Sequence, residues 1–160
     1  ELDGLIEEIL LMSRLDSENS KLVTEAVDLE QIIDEECERF PSIDFKGSAS
    51  MIDGNAGLLK RVVRNLIGNA FKHGKPPVVV ELTQSDDEVS FIVTDHGNGI
   101  SDADKAKIFD RFYRGADRQN VEGYGLGLSL VKQIVDAHKG TIKVLDGEGF
   151  IIKVTLPNNH

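Results

Sequence analysis

The sequence predicts an α/β fold, in which one β-sheet and a layer of helices form a two-layer sandwich. The first observation is a helical pattern in which apolar residues recur in pairs every four residues: Leu58/Leu59, Val62/Val63, Leu66/Ile67 and Ala70/Phe71. The second is a shorter core-facing helix, predicted over residues 126–138. The third is a set of strands, predicted over 78–82 and 89–94 and in a C-terminal hairpin. Elements that each bury one face must cover one another, which favours the sandwich.

Length and composition are those of a soluble globular protein. The 160 residues, 40% hydrophobic and 29% charged, suit one compact domain with an appendage. No apolar run of about 18 residues is present, and no secretory signal, so we predict a cytoplasmic chain. Cys37 is the only cysteine, which excludes an internal disulfide or a cysteine-based zinc cluster.

The net charge of −10 limits the partners of the chain. Such a protein repels nucleic acid and anionic lipid, so we expect no nucleic-acid partner. A polyanionic ligand would therefore need local cations or a metal. Cations are concentrated in one short region, with acidic residues interleaved: Lys105, Lys107, Arg111, Arg114 and Arg118. A solvated charged face is the alternative interpretation of that cluster.

The remaining elements follow in chain order. Residues 1–15 predict the end of a longer amphipathic helix, whose seam is Leu2, Leu5, Ile9 and Met12; no capping sequence precedes it, so we expect the chain to begin inside an element. We place a boundary there, with an appendage at 1–20 and a domain at 21–160. Strands are predicted at 23–27, 43–45 and 49–52, and helices at 29–40 and 103–109.

Turn and cap signals complete the prediction. Asp53 is placed to cap the helix that carries Asn65 and Asn69, and Gly74 with Pro76 stops it. Lys139-Gly140 closes the second long helix, and a turn at 146–149 joins the final strands. The polar, glycine-bearing stretch 95–127 is too long for an ordinary connection, which indicates a functional loop.

The helix predicted between Asp53 and Gly74 carries polar side chains along one edge of its buried face. Asn69 lies about two turns beyond Val62 and points in nearly the same direction, with Asn65 one turn earlier and Lys72 at i+3. A buried amide without a partner costs roughly 1–3 kcal/mol. Mg²⁺ bound to a nucleotide phosphate would supply a partner, because Mg²⁺ prefers oxygen ligands. Structural capping of neighbouring loops is an equally good account of this segment alone.

Two glycine motifs flank the long loop. In Asp95-His96-Gly97-Asn98-Gly99, the glycines permit a sharp turn close to a flat ligand, and Asp95 offers an acceptor for an exocyclic amine such as that of adenine. A plain Asp-Gly hairpin loop is the alternative. The glycines at alternate positions in Glu122-Gly123-Tyr124-Gly125-Leu126-Gly127-Leu128 expose backbone N–H groups to an anion at a helix start. This motif is neither a P-loop nor a dinucleotide fingerprint, and a flexible surface loop is its alternative.

A third motif lies between the glycine motifs, in Ile108-Phe109-Asp110-Arg111-Phe112-Tyr113-Arg114. Phe109 and Phe112, at i and i+3, can anchor one end of the loop to the core. Arg111 and Arg114 are then left to reach phosphates as the loop closes. Aromatic residues that serve only as core would fit the same arrangement.

Taken in order, these segments resemble the ATP-binding catalytic domain of sensor histidine kinases, a member of the gyrase, Hsp90, histidine kinase and MutL ATPase class. The resemblance covers roughly residues 53–156. Asn65 and Asn69 are similar to the asparagine box, Asp95, Gly97 and Gly99 to the first glycine box, Phe109 and Phe112 to the phenylalanine box, and Gly123, Gly125 and Gly127 to the second glycine box. It implies a Bergerat-type fold: a mixed sheet, helices on one face, and a long ATP lid.

The resemblance also implies roles for individual residues. Asn69, helped by Asn65, would hold Mg²⁺, Asp95 would bind the adenine amine, and Lys72 with Arg114 would contact phosphates, assisted by Arg111. The nucleotide-binding set further includes His73, Gly97, Gly99, Ile100, Phe112, Gly123, Tyr124, Gly125, Leu126, Gly127 and Leu128. The ATPase branches of the class usually carry a glutamate where Asn65 stands, and an asparagine cannot take a proton. Transfer of the γ-phosphoryl to another nucleophile is therefore expected rather than hydrolysis.

Two departures qualify the resemblance. Tyr124 stands where the family commonly has a small residue, and none of the four histidines has the setting of a phosphoacceptor. We therefore expect the acceptor histidine on a helical hairpin not present in this chain, of which residues 1–15 are the tail. The expected partners are ATP, that hairpin and the receiver domain of a response regulator. The full protein would be a homodimer anchored in the cytoplasmic membrane, and a monomer is left open for this fragment.

Two other functions stay open at this point. One is a non-catalytic module that senses nucleotide through ordering of the lid. The other is a serine kinase of the anti-sigma type, which has the same fold class.

Overall fold

The computed structural model describes residues 2–16, 22–40, 42–97, 99, 101–105, 107–110 and 127–158. The helices are α1 (Leu2–Asp16), α2 (Leu29–Glu38), α3 (Ala56–His73), α4 (Asp102–Lys105) and α5 (Gly127–Ala137). The strands are β1 (Glu25–Val27), β2 (Asp44–Gly47), β3 (Ile52–Gly54), β4 (Val79–Gln84), β5 (Glu88–Thr94), β6 (Thr141–Leu145) and β7 (Ile151–Pro157). None of the described helices combines the length and apolar character that crossing a lipid bilayer requires.

The main sheet has five strands in the order β2-β4-β5-β7-β6. β2 pairs with β4 in parallel, whereas the other three pairs are antiparallel, so the predicted mixed sheet is confirmed. Its strands alternate as a sheet with one covered face should: in β7, Ile152, Val154 and Leu156 are buried and their neighbours are half-buried. β1 and β3 form a separate antiparallel pair.

The long helices form the second layer of the sandwich. α2 packs against α3, α3 against α5, and α5 against α1, while α3 and α5 also contact β5 and β6. Most of the paired apolar residues of α3 are buried, as its four-residue period predicts, and they share one core with Phe91 of β5 and Ile134 of α5; Leu58 and Phe71 are half-buried against it. The predicted two-layer α/β sandwich is therefore confirmed.

The start of α3 differs from the prediction. Asn55 caps the helix, its side-chain oxygen accepting a hydrogen bond from the Leu58 N–H at 3.0 Å. The predicted cap, Asp53, lies in β3 opposite Ala26 of β1. Because pairing with β1 keeps the chain extended through Gly54, the helix begins later and the cap moves two residues along.

Other boundaries shift by a few residues. The strands predicted over 43–45 and 49–52 lie at 44–47 and 52–54, and the helix predicted over 103–109 is limited to α4. At the end of α5, Lys139 rather than Gly140 takes the left-handed conformation, with φ 61°. Gly140 is required for a different reason, since a Cβ there would lie 2.3 Å from the Thr155 carbonyl oxygen.

The N-terminal helix packs on α5, but not with the whole predicted seam. Met12 is buried, and its carbonyl oxygen accepts a hydrogen bond from Gln133 Nε2 at 3.5 Å. Leu11 and Leu15 pack against the same core, whereas Ile9 is 44% exposed. α1 therefore rests on the domain through the face of its last turns.

Candidate functional site

The two longest core helices run in opposite directions over the sheet. α3 leads into β4, whose first residue Val79 pairs with Thr94 at the end of β5. α5 leads into β6, whose first residue Thr141 pairs with Thr155 of β7. Thr155 also pairs with Ser90 near the start of β5, so β6 begins toward the opposite end of the strands. α3 therefore ends, and α5 begins, toward the edge of the sheet where β5 ends. We call this the Asp95 edge.

The predicted amides lie on α3 as it approaches the Asp95 edge. Asn65 and Asn69 are half-buried between the buried residues Leu66, Ile67 and Ala70, while Lys72 is exposed. His73 is the last residue of the helix. No described residue accepts a hydrogen bond from the buried Nδ2 of Asn65. A group left in this state costs about 1–3 kcal/mol, so the amide still requires a polar partner.

Asp95 directly follows β5 and is 2% exposed. Its Oδ1 accepts hydrogen bonds from the Gly97 N–H at 2.8 Å and the Phe150 N–H at 3.4 Å, and its own N–H donates to the Phe150 carbonyl at 3.0 Å. Among the described residues, none donates to Oδ2. The carboxylate is therefore fixed through one oxygen and keeps the other as an acceptor.

Bare backbone surrounds this carboxylate. A Cβ on Gly74 would lie 2.2 Å from Asp95 Oδ2, and one on Gly97 would lie 3.1 Å from Asp95 Oδ1 and from the Gly74 Cα. Gly99 has φ +69°, the left-handed conformation that glycine adopts without strain. The predicted turn role of Gly97 and Gly99 thus agrees with their geometry.

Two glycines of this edge were not predicted as part of the site. Sequence analysis assigned Gly74 only to the end of α3, and Gly149 only to the final turn. Gly149 has φ +79°, and a Cβ there would lie 2.0 Å from the Asp95 carbonyl oxygen. The position of Gly74 directly after the predicted motif of α3 was its only signal in the sequence. Gly149 had no such signal, because it lies 54 residues after Asp95 in the chain (149 minus 95).

A charged contact supports the same turn. Lys105 of α4 forms an ion pair with Asp146, and its Nζ lies 3.5 Å from Asp102 Oδ1. The hydrogen bond between Lys105 and Asp146 raises the pKa of Lys105 and lowers the pKa of Asp146. Lys105 was predicted as one of a cluster of cations for a polyanion; its charge is instead used to tie α4 to the turn that carries Gly149.

The loop motifs are described only in part. Ile108 is buried and Phe109 packs half-buried against the core, as expected for an anchor. Gly127 and Leu128 begin α5, and the backbone N–H groups of a helix start are suited to an anion. Eight predicted site residues lie outside the described ranges: Ile100, Arg111, Phe112, Arg114, Gly123, Tyr124, Gly125 and Leu126.

His138, assigned by sequence only to the end of α5, is buried within the fold. Its Nδ1 lies 2.8 Å from the Ile134 carbonyl oxygen, and its Nε2 accepts the Asn55 N–H at 3.0 Å. His96 is exposed, as predicted, with Nδ1 2.7 Å from the Pro77 carbonyl oxygen. Neither imidazole lies on the face of α3 that carries the amides.

Comparison with known proteins agrees with this geometry. Residues 54–160 match the family described as histidine kinase-, DNA gyrase B-, and HSP90-like ATPase. The chain is 35% identical over 155 residues to the signal transduction histidine-protein kinase/phosphatase MprB of Mycobacterium sp. (strain KMS), a match that covers 91% of this chain and 30% of MprB. The chain thus spans about a third of the length of the curated relatives it matches, from 30% to 37%.

Solved structures show the same relationship. A mycobacterial sensor histidine kinase MprB structure superposes with a TM-score of 0.71 at 33% identity, covering 84% of this chain and 97% of that one. Full-length ShkA in complex with AMPPNP superposes with a TM-score of 0.79 at 25% identity, covering 98% of this chain and 35% of that one. The chain therefore belongs to the family of histidine kinase-, DNA gyrase B- and HSP90-like ATPases, as an ATP-binding domain of the sensor histidine kinase type.

Proposed function

We propose that this domain binds Mg²⁺-ATP at the Asp95 edge and transfers the γ-phosphoryl to a histidine on a helical hairpin outside this sequence. The observation that carries the proposal is the approach of three elements to one edge: the amides of α3, the carboxylate after β5 and the start of α5. Each is suited to a different part of a nucleotide. The ShkA structure holds AMPPNP, which supports an adenine nucleotide in a domain of this fold.

Asp95 is proposed to select adenine. Its Oδ1 is already held by two backbone N–H groups, so Oδ2 is oriented and can accept a hydrogen bond from the exocyclic amine. Guanine presents a carbonyl oxygen at the equivalent place, and two acceptors facing each other repel. Gly74 and Gly97 carry no side chain that would cover the carboxylate.

The residues of α3 fit a magnesium-bound phosphate. Carboxamide oxygens are ligands that Mg²⁺ accepts, so Asn69 and Asn65 would hold the ion through Oδ1. The buried Nδ2 of Asn65 is a donor and would suit a phosphate oxygen instead. When bound, Mg²⁺ would neutralise charge on the phosphate oxygens. Lys72, exposed at the end of α3, is placed to add a positive charge, and Arg114 remains a prediction for the same task.

The proposed reaction needs orientation more than proton chemistry. An imidazole nitrogen of the acceptor histidine attacks the γ-phosphorus, the bond from that phosphorus to the bridging oxygen breaks, and ADP leaves with the electron pair. The amide of Asn65 cannot take a proton from water, so hydrolysis has no general base at this position. Positioning and charge neutralisation then carry most of the catalysis.

The rest of the protein is proposed from the same relationship. α1 would be the end of the second hairpin helix, the full protein a homodimer, and the phosphoryl group would pass to the receiver domain of a response regulator. The names of the relatives, a histidine-protein kinase/phosphatase among them, support this assignment.

Transfer in trans tests the proposal. The chain is mixed with a separately produced hairpin that carries the acceptor histidine, and with ATP labelled at the γ-phosphorus. We expect acid-labile, alkali-stable label on the hairpin. Nucleotide binding without any transfer would indicate a sensing module, and acid-stable label on a serine would indicate a serine kinase.

A pair of asparagine variants assigns the reaction to the site. Asn69→Ala should reduce Mg²⁺-ATP affinity by at least about tenfold and abolish transfer, because one proposed metal ligand is lost. Asn158→Ala is the matched control, since the side chain of Asn158 donates a hydrogen bond to the Ser85 carbonyl at the far end of the sheet. Calorimetry measures the affinity and circular dichroism checks the fold. Unchanged affinity in folded Asn69→Ala would remove Asn69 from the site.

A further inference from the structure

His138 makes two directional contacts from a buried position, 8% exposed, at the end of α5. Nδ1 lies 2.8 Å from the carbonyl oxygen of Ile134, and a carbonyl can only accept, so Nδ1 carries the proton. Nε2 is then the lone-pair nitrogen, and it accepts the N–H of Asn55 at 3.0 Å. The neutral tautomer of this imidazole therefore satisfies a donor on another element.

That donor belongs to the residue that starts α3. The side chain of Asn55 caps the helix through Leu58 and donates from Nδ2 to the Val23 carbonyl at 3.0 Å. The backbone N–H of Asn55 donates to His138 Nε2. His138 thus fixes the first turn of α3 to the last turn of α5.

The imidazole ring of His138 is tightly packed. A Cβ on Gly54 would lie 3.2 Å from His138 Cδ2 and 3.3 Å from Nε2, and 2.8 Å from Leu59 Cδ1. The imidazole therefore lies directly on the backbone of β3, where it has little room to move. Small shifts of α5 along its axis would break the contact with Asn55.

This contact matters because α3 and α5 are antiparallel. Their distal ends meet at His138 and Asn55, and their other ends lie toward the Asp95 edge, where the amides and the start of α5 are. Val62, Val131 and Ile134 are among the buried apolar residues of the two helices, and apolar contacts have no preferred direction. A slip of α5 against α3 would thus change the separation of Gly127 from Asn69 directly.

We propose that His138 is a positioning residue for the phosphate half of the nucleotide: its hydrogen bond to Asn55 sets the axial register of α5 against α3 and so holds the start of α5 opposite Asn65 and Asn69. This inference rests on the proposed function. It separates the phosphate half from the adenine half, because Asp95 is hydrogen-bonded to Gly97 and Phe150 and packs against Gly74 at the end of α3, whereas the bond of His138 sets the position of α5.

The experiment compares two ligands in three variants. His138→Leu removes the acceptor, His138→Gln restores an acceptor oxygen near the position of Nε2, and Ser90→Ala is the control. Ser90 contacts Thr155 on the face of the sheet away from the helices, at 3.1 Å. Affinities for Mg²⁺-ATP and for adenosine are measured by calorimetry and NMR titration, well below each unfolding temperature.

We expect His138→Leu to bind Mg²⁺-ATP about tenfold more weakly with unchanged affinity for adenosine, and His138→Gln to recover to within about twofold of the wild type. Ser90→Ala should match the wild type for both ligands. If His138→Leu does not fold, Gly54→Ala replaces it, since the added methyl group displaces the ring while the imidazole is retained.

Two results would overturn the inference itself, and a third would overturn the proposed function. Unchanged Mg²⁺-ATP affinity in folded His138→Leu would show that the register does not depend on this bond. An equal loss for both ligands would indicate general loosening of the domain. A wild-type chain that binds neither ligand would instead overturn the proposed function, on which the inference rests.

Discussion

Asp95 keeps one carboxylate oxygen available because backbone groups, and not side chains, occupy the space around it. Gly74, Gly97 and Gly149 come from three separate segments, and each would place a Cβ within 3.1 Å of an Asp95 atom. Only glycine permits three segments of the chain to approach one another so closely. The acceptor that we assign to adenine is thus built by residues that carry no functional group.

Gly149→Ala should damage both the fold and the site. The backbone there has φ +79°, and the new Cβ would lie 2.0 Å from the Asp95 carbonyl oxygen. Left-handed strain and overpacking together cost roughly 2–4 kcal/mol. We expect the free energy of unfolding in urea to fall by this amount and ATP affinity to decrease, because Asp95 is displaced.

Gly147→Ala is the matched control in the same turn. Its Cβ would meet only the flexible end of Ile151, 2.6 Å away, and Gly147 has no positive φ. It should lose less stability than Gly149→Ala and keep its ATP affinity. Equal losses in the two variants would contradict a specific role for Gly149.

At the scale of elements, α3 is held by directional contacts on both sides. Glu36 of α2 is buried, and its Oε1 accepts a hydrogen bond from Arg64 Nε at 3.1 Å; its Oε2 is 3.5 Å from Arg39 Nη1. His138 holds the opposite flank through Asn55. The helix that carries the amides is therefore located by polar contacts as well as by its apolar face.

The pH dependence of stability should report on the His138 contact. Burial lowers the pKa of His138 below its ordinary value of 6.5, while the hydrogen bond to the Ile134 carbonyl opposes that shift. The unfolded chain therefore binds the proton more readily than the folded one. The stabilisation is fully present above about pH 6.5 and is lost as the pH falls through the folded pKa.

We expect the free energy of unfolding of the wild type to decrease between pH 7.5 and 5, in the range of about 1.4 kcal/mol for each unit of pKa difference. His138→Gln has no titrating imidazole, so its decrease should be smaller by the contribution of His138. Urea titrations at several pH values measure both curves. Parallel curves would show that protonation of His138 is not linked to folding.

At the scale of the whole molecule, an acidic protein has to bind an anionic ligand against electrostatic repulsion. The net charge of −10 disfavours ATP at long range, so affinity has to come from local groups at the Asp95 edge. Among the described residues, no three His, Cys, Asp or Glu side chains come together as a metal site. In the proposed site, amides hold the ion and the phosphate supplies the negative charge.

Ligand binding should stabilise the whole domain. At a concentration of 100 times its Kd, Mg²⁺-ATP would add about 2.7 kcal/mol, which corresponds to roughly 5–10 °C in unfolding temperature for a chain of this size. Mg²⁺-GTP at the same concentration should give a clearly smaller shift, because we propose that Asp95 selects adenine. Differential scanning fluorimetry measures both. Equal shifts would argue against the adenine role of Asp95.

Much of this architecture was predictable because it depends on local patterns. The four-residue step of α3, the alternation in β7 and the glycine motifs are properties of short segments, and burial of one face follows from them. The same segments, in their order, carried the resemblance that the family match confirms. The roles of Asn69, Lys72 and Asp95 remain predictions, now with their positions known.

Contacts between distant segments could not be predicted in this way. Asn55 instead of Asp53 caps α3 because β3 pairs with β1, and Gly149 contacts Asp95 because β5 and β7 are neighbours. His138 is a polar connection because α5 ends beside the start of α3. By itself the sequence determined the elements, the nucleotide motifs and the family, since periodicity and spacing are local; only the tertiary structure decided which backbone encloses Asp95 and which imidazole joins the helices, since both require chain segments that meet only on folding.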